Sequence, residues 1–180
     1  MAVGVSDTEP GALVLDEIEE GTSTFDLEVA PDVLGLDDER FQFPQSISFV
    51  VSVVRSLETY NVKGGIECLI HGECGRCLAP TNMTVKANLQ ILVQRREAAD
   101  EELEAVKDEE MDILDPGAKQ MDLKEHVRDE VILELPQQLY CREDCKGMCP
   151  TCGQDLNVST CSCTGETVDT RWAALSNIRF

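Results

Sequence analysis

Aromatic side chains are scarce in this chain, with one tryptophan, two tyrosines and five phenylalanines among 180 residues. Any core it builds is therefore expected to be aliphatic. No run of about 18 apolar residues occurs, so no membrane-spanning helix is expected. Met1 to Pro10 has neither the basic start nor the apolar stretch of a signal peptide, so the chain reads as intracellular. Positive charge is short as well: 15 Lys and Arg stand against 35 Asp and Glu, a net charge of −20. Such a balance excludes a general basic field for phosphate backbones and points to basic partners. A glycine loop that cradles phosphates, a nucleophile elbow and a zinc-protease helix are all missing. Paired carboxylates carry no signal in a chain with 35 acids.

What the chain does have is cysteine. There are nine, eight of them in close pairs: Cys74/Cys77, Cys141/Cys145, Cys149/Cys152 and Cys161/Cys163. Pairs at this spacing place two thiolates on one side of a turn, which is how chains grip a tetrahedral zinc ion. Inside a cell, where thiols stay reduced, clustered cysteines favour metal over disulfides. Four pairs make two closed sites, so Zn2+ is expected twice, in a structural role. Two ions and eight thiolates would take the net charge to about −24.

The ligand partition is a pairing problem. Pro150 stiffens the Cys149-Pro-Thr-Cys152-Gly153 turn, and Gly153 lets backbone amides point at sulfur. Cys161 and Cys163 follow a short loop later and complete a local site. Cys74 and Cys77 then take distant partners, Cys141 and Cys145. A partition with Cys145 in the tail site and Cys141 free stays open.

Hydrophobic periodicity organises the rest. Residues 1–20 read as a disordered acidic terminus. Phe25, Leu27 and Val29 suggest a short edge strand. Ile47, Phe49, Val51 and Val53 alternate with wetter positions and predict a strand, as do Val85, Ala87, Leu89, Ile91 and Val93. Asn61 to Glu73 is extended but interrupted at Gly64-Gly65. Glu97 to Asp115 is an acidic insertion, read as a solvated loop or frayed helix. A helix follows, capped by Asp122 with Glu125 as reciprocal partner, carrying Leu123, Val127, Val131 and Leu135, with Ile132 widening the stripe, and stopped by Pro136. Asp169 caps a short terminal helix with Trp172, Leu175 and Ile178. The expected architecture is α+β. An antiparallel sheet and one long helix occupy residues 21–140, and a zinc-braced cysteine-rich segment over 141–180 ends in a short helix.

Three further groups have bland readings. Cys68 shares a strand face with Ile66 and Ile70 and reads as a small buried hydrophobe. His71 and His126 have no nucleophile or metal partner in sequence. Arg76, Arg142 and Lys146 sit beside the knuckles, where they can meet a phosphate or brace the thiolates.

The order of motifs is specific. Cys74-Gly-Arg-Cys-Leu78 follows a strand; Met121-Asp-Leu123 opens a helix; Val131-Ile-Leu-Glu-Leu-Pro136 ends it. Cys141-Arg-Glu-Asp-Cys-Lys-Gly-Met-Cys-Pro-Thr-Cys-Gly-Gln-Asp-Leu-Asn157, Cys161-Ser-Cys163 and Asp169-Thr-Arg-Trp172 come after. Across residues 20–178 this resembles the YceD family, the large ribosomal RNA subunit accumulation proteins. Relatives often carry Leu where Met148 stands, and some lack the cysteine-rich tail. The resemblance implies a non-catalytic role in ribosome assembly, in a bacterial cytoplasm or, alternatively, a plastid stroma. The expected partner is a basic large-subunit ribosomal protein or pre-ribosomal particle, with ribosomal RNA contact indirect. The competing class is a thiol–disulfide oxidoreductase using Cys74/Cys77. Reactive pairs usually open a helix, whereas Leu78-Ala-Pro80 and a strand follow this one.

Overall fold

The computed structural model describes residues 9–97 and 111–163. Two compact units emerge: Met1–Gly72 with Asn82–Gln137, and Glu73–Thr81 with Gln138–Phe180. The chain thus leaves the first unit once, for the first cysteine pair, and returns before completing it.

The first unit is built on a five-stranded sheet in the order β2-β3-β4-β5-β6. Its strands are β2 (Gly21–Val29), β3 (Ile47–Ser56), β4 (Thr59–Glu73), β5 (Pro80–Arg95) and β6 (Met111–Leu114). A separate two-stranded ribbon pairs β1 (Ala12–Val14) with β7 (Gln120–Asp122). Among the described residues one α-helix, α1, spans Lys124–Glu134. Among the described residues no helix is long and apolar enough to cross a membrane.

Register explains the burial. Phe25, Leu27 and Val29 face Val51, Phe49 and Ile47 across β2–β3. Phe49, Val51 and Val53 face Ile66, Gly64 and Val62 across β3–β4. Because side chains alternate with period two, the members of these pairs fall on one face. Ile47, Phe49, Val51, Val53, Tyr60, Val62, Ile66, Cys68, Ile70, Val85, Ala87, Leu89 and Val93 are all buried. Val50 and Val54, on the other face, are about half exposed. The long β4 runs straight through Gly64-Gly65. Gly64 is not a break but a slot: a Cβ there would run into the Val50 carbonyl oxygen and come within 2.7 Å of Val51 Cγ1.

Several expectations need correction. Residues 9–20 are not disordered. Leu13, Leu15 and Ile18 are buried, and Leu15 N–H donates to the Lys119 carbonyl at 2.9 Å. The acidic terminus buries these apolar residues because its partner strand lies some hundred residues on, beyond the reach of local pattern. The sheet is mixed, not purely antiparallel: β6 pairs parallel with β5, Leu92 opposite Met111 through Arg95 opposite Leu114. The acidic insertion therefore contains a strand over Met111–Leu114 where a loop or frayed helix was expected, and its residues 98–110 lie outside the described residues. So does the terminal helix expected from Asp169.

Helix α1 begins one residue later than expected, with Leu123 rather than Asp122 at the N-cap position. Asp122 Oδ1 accepts the Lys124 N–H at 2.9 Å, meeting one of the free donors of the first turn. No reciprocal side-chain cap completes the box. Leu123, Val127 and Val131 are fully buried, but Ile132 is about half exposed, so the stripe is one residue wide. His126 Nε2 meets Asp112 of β6.

Candidate metal centres

Both centres lie in the second unit, and each starts from a tight cysteine turn. In the first turn, Leu78 N–H donates to the Cys74 carbonyl at 2.9 Å and Cys74 N–H to the Ala79 carbonyl at 2.9 Å. Closing the loop holds Leu78 at φ 59, a left-handed conformation that a leucine rarely adopts. Gly75 N–H then donates to the Leu139 carbonyl at 2.8 Å, which brings the 138–145 segment alongside. In the tail turn, Gly153 N–H donates to the Cys149 carbonyl at 2.9 Å and Cys149 N–H to the Gln154 carbonyl at 2.8 Å. Gly153, at φ 72, supplies the left-handed residue at no steric cost.

These turns gather the cysteines into the two groups that spacing suggested. Cys74, Cys77, Cys141 and Cys145 form one, Cys149, Cys152, Cys161 and Cys163 the other, with the sulfur atoms of each group within 4.8 Å of one another. Cys145 sits with the first group, so the partition that sent it to the tail and left Cys141 free is not the one adopted. The Cys74–Cys145 sulfur distance is 3.9 Å and the Cys77–Cys141 distance 3.7 Å. A tetrahedron with metal–sulfur bonds of about 2.3 Å has edges of roughly 3.8 Å. Both clusters have the geometry and donor set to hold a metal ion.

The local electrostatics point the same way. The backbone N–H of Cys141, then those of Arg76 and Cys77, bring the Cys74 thiol down to about 6. The N–H groups of Cys152 and Thr151 do the same for Cys149, also to about 6, with the Cys161 thiol adding. Some partners move the other way: desolvation among the sulfurs, then crowding by Cys145, Cys77 and Cys74, drives Cys141, exposed though it is, up to about 12, whereas Cys145, against desolvation, is lowered by the Asn157 amide. Cys163 reaches about 12 as well, chiefly through the Cys152 sulfur. The first cluster thus sets lowered thiols at Cys74 and Cys145 against raised ones at Cys77 and Cys141, and the tail cluster sets a lowered Cys149 against raised Cys161 and Cys163. A divalent cation relieves that conflict by neutralising the accumulated charge.

Of the three basic residues near the knuckles, Arg76 and Arg142 have internal side-chain partners, while Lys146 is exposed and bonds through its backbone N–H to Asn157 Oδ1 at 2.9 Å. Arg76 Nη1 donates to the Glu143 and Cys145 carbonyls, both at 3.0 Å, and its guanidinium lies 4.6 Å from the Tyr140 ring centroid. Arg142 donates to Asn157 Oδ1 at 2.7 Å and pairs with Asp144 at 3.3 Å. Neither histidine joins a cluster: His71 Nδ1 meets Asn82 at 2.6 Å, and His126 meets Asp112. Cys68 is buried between Ile66 and Ile70, and burial pushes its thiol up to about 11. Sequence reasoning missed Asn157, whose Nδ2 donates to Cys145 Sγ at 3.4 Å. Its fixed place between Cys152 and Cys161 was the available signal.

The family model described as large ribosomal RNA subunit accumulation protein YceD matches residues 62–179, well over half of the chain. The chain belongs to the YceD family. Among relatives, it is 29% identical over 191 residues to the Arabidopsis thaliana "Large ribosomal RNA subunit accumulation protein YCED homolog 1, chloroplastic". That match takes in 94% of this chain and 58% of the plant protein. It is 37% identical over 114 residues to an uncharacterized Mycobacterium tuberculosis protein, covering 63% of this chain and 53% of that one. A Zea mays protein with the same chloroplastic description is 27% identical over 137 residues, 63% of this chain and 47% of the maize protein. The chain therefore spans about half the length of the curated relatives it matches. No solved structure matches it significantly.

Proposed function

We propose that this chain is a non-catalytic ribosome-assembly factor. It supports accumulation of large-subunit ribosomal RNA by holding a basic ribosomal protein, or an assembly intermediate that displays one. Zinc, bound once in each cysteine cluster, braces its second unit. The observation that carries this reading is how charge divides between the units. With cysteines counted as neutral, the cysteine-bearing unit holds five of the 15 Lys and Arg and six of the 35 Asp and Glu, a net −1 that becomes about −5 with two zinc ions on eight thiolates, while the sheet unit carries −19. A field of that sign repels phosphate and steers a basic protein into contact.

Two further observations support it. Arg76 and Arg142, two of the three cations beside the clusters, donate to internal acceptors. Cys74, the lead candidate for thiol–disulfide chemistry, is fully buried and faces two more cysteines. A redox thiol needs an accessible face, so the oxidoreductase reading has little to stand on. The relatives suggest a bacterial cytoplasm as the working compartment, with a plastid stroma as the alternative.

The test is a salt titration on zinc-loaded chain. Affinity for a basic large-subunit ribosomal protein is expected to fall at least about tenfold between low and several-hundred-millimolar salt. Bare ribosomal RNA should not compete. Tight binding to bare RNA, with the ribosomal protein ignored, would overturn the proposal.

A further inference from the structure

The two clusters share a strap. Residues Lys146 to Met148 run from the last ligand of the first cluster to the first ligand of the second. Met148 N–H donates to the Arg76 carbonyl in the first knuckle at 3.0 Å, while the Gly147 carbonyl accepts from Leu156 in the tail loop at 2.9 Å. Gly147 stands at φ 75, and a Cβ there would lie 2.9 Å from the Arg76 carbonyl oxygen. No other residue fits where the two turns approach this closely.

Asn157 bridges the clusters directly. It belongs to the loop closed by the tail ligands Cys152 and Cys161, yet its amide serves the other centre. Its Nδ2 donates to Cys145 Sγ at 3.4 Å and to Asp155 Oδ1 at 2.8 Å. Its Oδ1 accepts from Lys146 N–H at 2.9 Å and Arg142 Nη2 at 2.7 Å. Donors lie on the oxygen side and acceptors on the nitrogen side, so one orientation of the amide is selected. Its backbone N–H is fixed by Asp155 Oδ1 at 2.8 Å. Every polar atom of this side chain is used, and one bond ends on a sulfur of the first cluster. An amide donated to a ligating thiolate stabilises its charge and fixes its direction.

We propose that the two centres load as a coupled pair, with Asn157 as the positioning residue that transmits the coupling. A metal ion in the tail centre fixes the 153–160 loop, the loop holds Asn157, and Asn157 presents its N–H to Cys145. Coupling is reciprocal, so an ion in the first centre favours the tail centre by the same factor. This inference rests on the metal-binding reading above.

Cobalt(II) is the probe, added to the full chain with a competing chelator. Single-site chains come from Cys161→Ser with Cys163→Ser, and from Cys74→Ser with Cys77→Ser. The unaltered chain is expected to bind two ions with a combined affinity about tenfold above the product of the single-site values, the size of a lost outer-sphere partner. In Asn157→Ala that excess should vanish. Asn157→Ala keeps all eight cluster cysteines, so it also gives a spectroscopic readout that a merely loosened loop would not move. The sulfur-to-cobalt band of the first centre should shift to longer wavelength, because an unsolvated thiolate gives up its electron more easily. Two ions bound independently, or an excess that survives in Asn157→Ala with the band unmoved, overturn the coupling alone. An unaltered chain that binds no cobalt sinks the metal reading and the coupling together.

Discussion

Gly64→Ala sets the most direct test of the sheet register. A Cβ on Gly64 would overlap the Val50 carbonyl oxygen, and would lie 2.7 Å from Val51 Cγ1 and 3.0 Å from Val51 Cα. Two of these three atoms are backbone of β3, which is paired on both sides, so nothing soft can move aside. Overpacking of this kind costs about 1–3 kcal/mol, and a rigid neighbour puts it at the upper end. Replacing glycine in a strand returns roughly 0.5–1 kcal/mol of chain entropy. The net loss is about 2 kcal/mol, or roughly 6–8 °C in Tm for a unit of this size. Gly65 supplies the control, since a Cβ there meets nothing within 4 Å. Gly65→Ala should be neutral or slightly stabilising. Urea unfolding of metal-loaded protein, followed by far-UV circular dichroism, reads both midpoints, with the slope unchanged. A Gly64→Ala protein as stable as Gly65→Ala would mean that Gly64 does not face Val51, and the β3–β4 register described above would be wrong.

Two other predictions concern single side chains. The Asp112 carboxylate raises the His126 imidazolium above its usual 6.5, against burial, with Glu125 and Asp129 adding. The stability this pair contributes is fully present below pH 6.5 and disappears as pH rises through the higher folded-state value. Urea midpoints across pH 5.5–8.5 should show that decline, and His126→Asn should flatten it; an unchanged profile in the variant removes the pair from the account. Cys68 has a weak contact to the Leu69 carbonyl at 3.9 Å and a thiol pushed up to about 11. Iodoacetamide at neutral pH should leave it unmodified in folded protein, by mass spectrometry. Cys68→Ser should cost about 1–3 kcal/mol by burying a hydroxyl, and Cys68→Ala less. Rapid alkylation of Cys68 in the native state would refute its placement.

Legibility in the sequence followed the range of the forces involved. β3 and β5 were readable because alternation is local and their β-branched residues repeat it cleanly. The cysteine groups were readable because short spacing forces two sulfurs to one side of a turn. The β1–β7 ribbon was not, since three-residue strands carry no periodicity and Leu13 meets Met121 only through the fold. β6 hid in an acid-rich stretch, where Met111 and Ile113 are only partly buried and the pairing is parallel. Gly64-Gly65 looked like a break because composition cannot say that a neighbouring backbone fills the space a side chain would take. Ile132 looked like core because helical spacing does not reveal how wide a face the neighbours cover. Asn157 was invisible as a tie between centres because its importance lies in one hydrogen bond to Cys145, formed only after both loops close.

The first centre joins sulfurs that lie far apart along the chain, with separations of 71 residues for Cys74–Cys145 and 64 for Cys77–Cys141. At a synthesis rate of about 5–20 residues per second, Cys77 emerges several seconds before its partner has been made. Over that interval the nascent polypeptide carries a bare dithiol, open to oxidation or to capture of the wrong ion. The tail centre spans only Cys149 to Cys163 and faces almost no such delay. On the metal-binding proposal, newly made molecules depend on the metal supply and thiol-reducing capacity of their surroundings most during the wait between the two halves of the first cluster.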